Sequence, residues 1–448
     1  MYAALRRPSM LLCCVGALLS SSTTHALDLY ESYEAALSGD AEFQAARAAA
    51  SAGREVLPMA RAQLLPNISF SATRMKNDLT SETENFLGQT ATTESQYPSS
   101  NYALTLRQPL YRPLLYAGYL QARARVDGVE AIFDKARQDV AVRVVGAYLN
   151  VLFAEEALRQ TELQGTAIKS QLAAARRALE VGYGTRTDVD DAQARLDMNA
   201  SRVLGARQQI DQARHELETL IDRQVGGLNG LDGRLFAPQP MMPDTLDVWI
   251  DRATAANPEL RDLEARVEAA RQEVERARAG HKPTLDLVVQ RAISESDNIT
   301  NPNARYDNTQ LGIQLAVPLF AGGHVSAQVR QARAALEELE LRRESLRRKL
   351  ATQVRKEFQG VREGVLKVRA LEQAERSADQ SVLSNEKGVL AGTRSRLDIL
   401  NAQEHRGNAR LELARERMNY LMSRTRLLAL CGALDNAAIV EMNRWFVR

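Results

Sequence analysis

The sequence predicts a mainly α-helical protein built from two copies of one long helical hairpin, each copy carrying a pair of β-strands. Three observations point there. First, Val126, Val129, Phe133, Ala136, Val140, Val144, Tyr148 and Leu152 recur in steps of three and four, the spacing of a helix with one buried seam. No strong breaker falls between Leu114 and Glu180, so one helix of about 100 Å is expected, far beyond an ordinary globular helix. Second, the design recurs. A breaker-free run to about Leu390 carries the seam Val354, Phe358, Val361, Val365, Val368 and Leu371. Third, a short segment beside the start of each run alternates apolar and polar residues, the two-residue period of a strand.

In chain order, the N-terminus reads as a secretory signal. Arg6-Arg7 precede the apolar stretch Met10–Leu19, and Thr24-His25-Ala26 offers a small residue before a cut at Ala26. Residues 29–61 read helical, with a start at Gly39-Asp40-Ala41-Glu42 and a bend or end at Pro58. From Pro66 to Thr73, Ile68, Phe70 and Ala72 alternate with Asn67, Ser69, Ser71 and Thr73. Residues 77–97 are rich in Thr, Ser, Glu and Asn and read as an exposed loop. Tyr102, Leu104 and Leu106 then alternate with Ala103, Thr105 and Arg107, completing a hairpin. The first long helix turns at Val181-Gly182-Tyr183-Gly184-Thr185-Arg186-Thr187-Asp188 into a return helix reaching about Leu220.

Gly226-Gly227 through Pro243 form a Gly/Pro-rich connector, after which the second half retraces the first. Asn257-Pro258-Glu259-Leu260 matches Asp40-Ala41-Glu42-Phe43. Leu285, Leu287 and Val289 alternate with polar neighbours, a shorter polar loop covers 294–304, and Leu311, Ile313, Leu315 and Val317 alternate again. The turn at Gly392-Thr393-Arg394-Ser395-Arg396-Leu397-Asp398 leads to a return helix ending near Leu430. Asp188 matches Asp398, and Ala192-Gln193 matches Ala402-Gln403. The expected organisation is a signal peptide (1–26), a first repeat (27–223), a connector (224–245), a second repeat (246–431) and a C-terminal tail (432–448).

Composition excludes several functions. Loss of the signal removes Arg6 and Arg7 and no acid, so the 58 bases and 56 acids of the whole chain become balanced. A neutral chain gives no support for nucleic-acid binding. Cys13 and Cys14 leave with the signal, and Cys431, in an apolar stretch, reads as a packed thiol. The five histidines show no metal-ligand spacing, and no catalytic grouping stands out, so neither an enzyme nor a cofactor or metal is expected. The Arg/Glu-rich stretch 337–349 reads as a solvated helix face. No segment has the apolar length of a membrane helix. Four strands of roughly ten residues suit a transmembrane barrel, and because open sheet edges are not tolerated in lipid, other copies must complete it.

The duplicated half, the junctions Gln108-Pro109-Leu110-Tyr111 and Val317-Pro318-Leu319-Phe320-Ala321-Gly322-Gly323, and the turn from Gly392 to Gln403 together resemble the TolC family of outer-membrane efflux ducts, over nearly the whole mature chain. The resemblance implies a homotrimer whose four strands per protomer form a twelve-stranded transmembrane β-barrel. Its long helices would form an α-barrel tunnel in the periplasm, with the connector and tail as an equatorial belt. It also implies a non-enzymatic exit duct for efflux or type I secretion in the cell outer membrane. Its partners would be a periplasmic adaptor, an inner-membrane ABC or RND-type pump and outer-membrane lipid.

In the family, an Arg of one tip reaches a Thr-Asp pair of the other hairpin to shut the periplasmic end. Those positions here are Arg394, Thr187 and Asp188. Such a charge-assisted link can hold a closed state and yet be given up for adaptor contacts. An assisting Tyr of the family falls on Val389 here. Acidic rings at the family's entrance select cations. Asp398 keeps the first position, where like charges would attract cations and raise each other's pKa. Asn401 replaces the second, with Asp191 as a substitute from the first half. The plain alternative for these residues is helix capping, with Arg394 a solvated turn residue. The competing function is a periplasmic coiled-coil scaffold or adaptor without a pore, which would need no detergent for extraction.

Overall fold

The computed structural model describes residues 26–84, 86–297 and 303–447. The expected signal, except its last residue, and residues 298–302 of the expected polar loop lie outside these residues. Helices α1 (Leu29–Gly39), α2 (Ala41–Arg54) and α3 (Val56–Ala62) lead into strands β1 (Asn67–Glu84) and β2 (Thr90–Tyr111). The first hairpin is α4 (Pro113–Glu180) and α5 (Arg186–Ile221), followed by the two-residue strand β3 (Gly230–Leu231). The second half has α6 (Leu246–Ala256), α7 (Pro258–Arg278), β4 (Thr284–Ser296) and β5 (Ala304–Ala316). It ends with α8 (His324–Leu390), α9 (Arg396–Leu430), α10 (Asn436–Asn443) and β6 (Phe446–Val447).

The N-terminal helical segment is three helices rather than one. Asp28 and Glu31 form a capping box at the start of α1, and Asp40 caps α2. Pro58 sits in the first turn of α3, where its missing N–H costs no intrahelical bond. Asn257 caps α7 as Asp40 caps α2, its Oδ1 accepting from Leu260 N at 3.0 Å.

The long helices end where the periodicity places them, at Glu180, Ile221, Leu390 and Leu430. The single-seam expectation holds for α8, in which Val354, Phe358, Val361, Val365 and Val368 are buried. It fails for the middle of α4, where Val140, Ala141, Val144, Val145, Tyr148, Leu149 and Val151 are all buried. Helices α1, α2, α5, α7 and α9 pack on α4 from several sides, so burial spreads well beyond one seam and leaves only a narrow strip, with Asp139 and Asn150 exposed, to water. Stretch 337–349 is largely exposed and laced with pairs such as Arg342–Glu338.

The core occupies this same middle level and draws in the connector and the tail. β3 pairs with β6. Phe236 packs edge-on against both Tyr420 and Trp445. The Tyr148 hydroxyl donates to Asn229 O at 2.8 Å, and the Tyr420 hydroxyl donates to Gln239 O at 2.9 Å. Cys431 is buried here, and burial pushes its thiol up to about 11.

Strands β1-β2-β4-β5 form one antiparallel sheet in that order. The loop expected at 77–97 is mostly strand. β1 and β2 pair from Asn67↔Arg107 out to Glu84↔Thr90, whereas β2 and β4 pair only as far as Ser99↔Ser296. A two-stranded ribbon therefore projects beyond the sheet. Pro98 stands one residue past the last β4 partner, where no ladder donor is needed. Pro109 is tolerated by a bulge, the register shifting between Pro109 and Tyr111.

Candidate functional site

The register sorts the sheet into two faces. Ile68, Leu106, Val289 and Leu311 fall in one cross-strand row, and Phe70 and Leu104 in the next. These residues form an exposed apolar face, Ile68 at 65% and Phe70 at 68% exposure. The opposite face carries Asn67, Ser69, Ser71 and Thr73 on β1, Thr105 and Asn101 on β2, Gln290 on β4 and Gln310 and Gln314 on β5. Such alternation, apolar towards lipid and polar towards a lumen, is that of a transmembrane barrel wall. Among the described residues no helix is long and apolar enough to cross a membrane. No group of His, Cys, Asp or Glu among them could hold a metal.

On the polar face, the charged strand residues are Arg107 and Asp286, and they pair. Asp286 is almost wholly buried, its side chain 3% exposed. Its Oδ2 accepts from Arg107 Nε at 3.0 Å, and its Oδ1 accepts from Arg112 Nε at 2.8 Å. Arg112 is the residue before α4, so one carboxylate ties β2, β4 and the first long helix together. Sequence reading passed over this group, although an acid inside the apolar run Leu285-Asp286-Leu287-Val288-Val289 was a visible anomaly.

At the far end of the helices, the two tips share one backbone design. Gly182 and Gly392 adopt φ of +80° and +73°, which only glycine takes without strain. The N–H groups of Tyr183 and Gly184 converge on Ala178 O, and those of Thr393 and Arg394 on Gly388 O. Each return helix then opens with a capping box. Thr185 N donates to Asp188 Oδ2 at 3.1 Å, and Asp188 N donates back to Thr185 Oγ1 at 3.2 Å. In the second tip, Ser395 N donates to Asp398 Oδ2 at 2.9 Å and Asp398 N to Ser395 Oγ at 3.2 Å. Hydrogen bonds from Thr185 hold the Asp188 carboxyl below its ordinary 3.8, and those from Ser395 do the same for Asp398.

The capping alternative is thus present for both acids, with the partner being Thr185 rather than Thr187. Thr187 is exposed within the first turn of α5, and Asn401 and Asp191 are exposed one turn into their helices. Among the described residues Arg394 makes no hydrogen bond or ion pair with Thr187 or Asp188. Its stem rests on Gly388 instead: a Cβ there would lie 2.6 Å from Arg394 Cγ. Val389 lines a groove of about 640 Å³ between α4 and the second hairpin, just above the tips.

Comparison with known proteins agrees with this geometry. The family model described as "Outer membrane efflux protein" matches residues 32–223 and 249–433. The alkaline protease secretion protein AprF of Pseudomonas aeruginosa is 34% identical, covering 94% of this chain and 87% of its own. The proteases secretion protein PrtF of Dickeya chrysanthemi is 30% identical, covering 99% and 96%. The crystal structure of the Campylobacter jejuni CmeC outer membrane channel superposes with a TM-score of 0.77 at 16% identity, covering 99% of this chain and 98% of that one. With its duplicated hairpins, barrel-wall sheet and matching family model, the chain belongs to the outer membrane efflux protein family, the TolC family, and is an outer-membrane exit duct with its helical tunnel in the periplasm.

Proposed function

We infer that three copies assemble into one duct, with β1 of each sheet pairing with β5 of the next to close a twelve-stranded barrel. The observation that carries this reading is the four-stranded sheet with two open edges and an exposed apolar face. Lipid offers no partner for unpaired N–H and C=O groups, so the edges must meet other strands. A pore-free coiled-coil scaffold would leave that face exposed to water without a use. In this reading residues 27–223 and 246–431 are the two repeats, and 224–245 with 432–448 form a belt at mid-height.

The duct is passive and takes its energy from an inner-membrane pump, reached through a periplasmic adaptor. Similarity to a chain named for alkaline protease secretion favours a protein cargo and an ABC-type pump over efflux of small molecules by an RND-type pump. At the periplasmic end, Arg394 of the second hairpin pairs with Thr187 and Asp188 of a neighbouring coil. Among the described residues no hydrogen bond or ion pair engages the Arg394 guanidinium, and the caps engage Asp188 through Oδ2, so Oδ1 and the guanidinium can serve that link. Asp398 forms a three-carboxylate ring, and Asn401 weakens the second ring of the entrance.

Conductance of the detergent-extracted protein in a planar bilayer tests the reading. A small, steady, cation-selective conductance is expected from the wild type, and a larger one from Arg394→Ala combined with Asp188→Ala. Equal conductance in the two proteins overturns the gate; failure of the wild type to insert overturns the duct.

A further inference from the structure

The apolar face of the sheet has a slanted upper boundary. On β1 it falls between Ala72 and Arg74, and on β5 between Leu311 and Thr309, although Ala72 lies in the row of Asp307 and Leu311 in the row of Ile68. The boundary therefore steps down by four residues across the sheet. Three steps of about 4.8 Å between strands tilted by about 40° displace a membrane level by about 12 Å along the strand, or between three and four residues. The slant is thus the trace of one membrane surface across tilted strands. It lies at the end of the sheet remote from the long helices, so it marks the outer leaflet.

Charged side chains stand just beyond this line on the lipid-facing side. On β4 and β5 they neutralise one another: Arg291 pairs with Asp307 at 2.9 Å and Arg305 with Glu295 at 3.1 Å. On β1 they do not. Arg74 and Lys76 are exposed, face Ser100 and Pro98 across the ladder, and have no ion-pair partner among the described residues. The next acid on that face, Asp78, accepts from Gln96 Nε2 at 3.1 Å. A shallow recess of about 360 Å³ lies here, with Arg74, Lys76, Gln96 and Pro98 in its lining.

We propose that Arg74 and Lys76 bind the terminal phosphomonoester of an anionic lipid headgroup in the outer leaflet, a group that zwitterionic phosphodiester lipids lack, one site per protomer. The guanidinium supplies a forked donor for phosphate oxygens and the ammonium a point charge beside it. The apolar rows of Ile68, Phe70 and Ala72 directly below receive the acyl chains. The proposal rests on the barrel reading, because only a lipid-facing β1 places these cations at a headgroup.

The test uses the full-length protein and its Arg74→Gln, Lys76→Gln double variant in phosphatidylcholine vesicles, with or without a bisphosphorylated glycolipid. The temperature at which the oligomer dissociates on mild electrophoresis is the readout. The phosphorylated glycolipid raises that temperature for the wild type and not for the variant, and its dephosphorylated form changes neither. An equal rise in both proteins overturns the site. So does a rise produced by inorganic phosphate alone, which would make it a site for free anions. A variant weakened to the same extent in pure phosphatidylcholine also overturns it, assigning Arg74 instead to Asp307 of the neighbouring copy. Bilayer conductance separates the two levels: a conducting wild type without the lipid effect loses only this site, and a wild type that neither conducts nor oligomerises loses the duct as well.

Discussion

The two halves start their long helices in opposite ways. In the first, β2 passes into α4 through the single residue Arg112, and Asp286 clamps that residue to both neighbouring strands. In the second, residues 317–323 separate β5 from α8. Leu319 and Phe320 are 92% and 90% exposed there, and Gly322 and Gly323 adopt φ of +57° and +80°. One junction is held by a buried charge and the other by backbone geometry. The tips show a similar exchange. In the first, the small residue is Gly184, packed against the backbone of Leu179. In the second, the equivalent position is Arg394, and the glycine has moved to Gly388 beneath it. Duplication kept the helix lengths and caps but diverged where the helices end, which is where one half must differ from the other to build a joint or a gate.

The largest effect should come from the clamp. Asp286→Asn leaves Arg107 and Arg112 without their counter-charge. With both arginines partly exposed, the cost should be about 2–3 kcal/mol, below that of breaking a fully buried pair. Gly323→Ala, which forces a Cβ into the left-handed region, should cost about 1 kcal/mol. Urea unfolding of vesicle-reconstituted protein measures both, and a reversed order would break the contrast between the junctions.

Next come the tips. A Cβ on Gly184 would meet Leu179 N at 2.9 Å, so Gly184→Ala must shift backbone and should cost about 1–2 kcal/mol. A Cβ on Gly388 would meet Arg394 Cγ at 2.6 Å and Arg394 Cβ at 3.1 Å, side-chain atoms rather than backbone. Gly388→Ala must turn the Arg394 stem aside, and with the gain in helix propensity offsetting part of that, it should cost about 1 kcal/mol, less than Gly184→Ala. Amide exchange in the last turns of α4 and α8 distinguishes them, and equal protection changes would remove the asymmetry.

The smallest effects should be the same in both halves. Thr185→Ala and Ser395→Ala each delete a capping box and should cost about 1 kcal/mol of local stability. Because Asp188 and Asp398 titrate below their ordinary 3.8 when folded, their contribution is complete above that value. It disappears as the pH falls through the lowered folded value. Exchange at both tips should be flat from pH 8 to 5, after correction for intrinsic rates, and rise only in the acid range. A transition near pH 6 would mean that the carboxylates feel like charges more strongly than their caps.

Much of this fold was readable locally. Periodicity marked α8 and its seam, the Gly-containing turns marked both tips, and Asp188 and Asp398 lay in equivalent caps because a capping box needs only four consecutive residues. The same local signal, Asp28 with Glu31, was present but missed at α1. The ribbon at 77–97 was misread as a loop for a physical reason: beyond the membrane both of its faces are mostly polar, so alternation carries no hydropathy contrast.

The sequence by itself thus determined the four long helices and their tips, the apolar face of the strands nearest those helices, and the duplication of the chain, since each depends on neighbours within a turn or a pleat or on a repeated pattern. Tertiary structure alone decided that the middle of α4 is buried on several sides, that Asp286 meets arginines from a distant strand and a helix start, and that Arg74 and Lys76 have no ion-pair partner among the described residues. Those are matters of register and packing between segments far apart in the chain, and no local period encodes them.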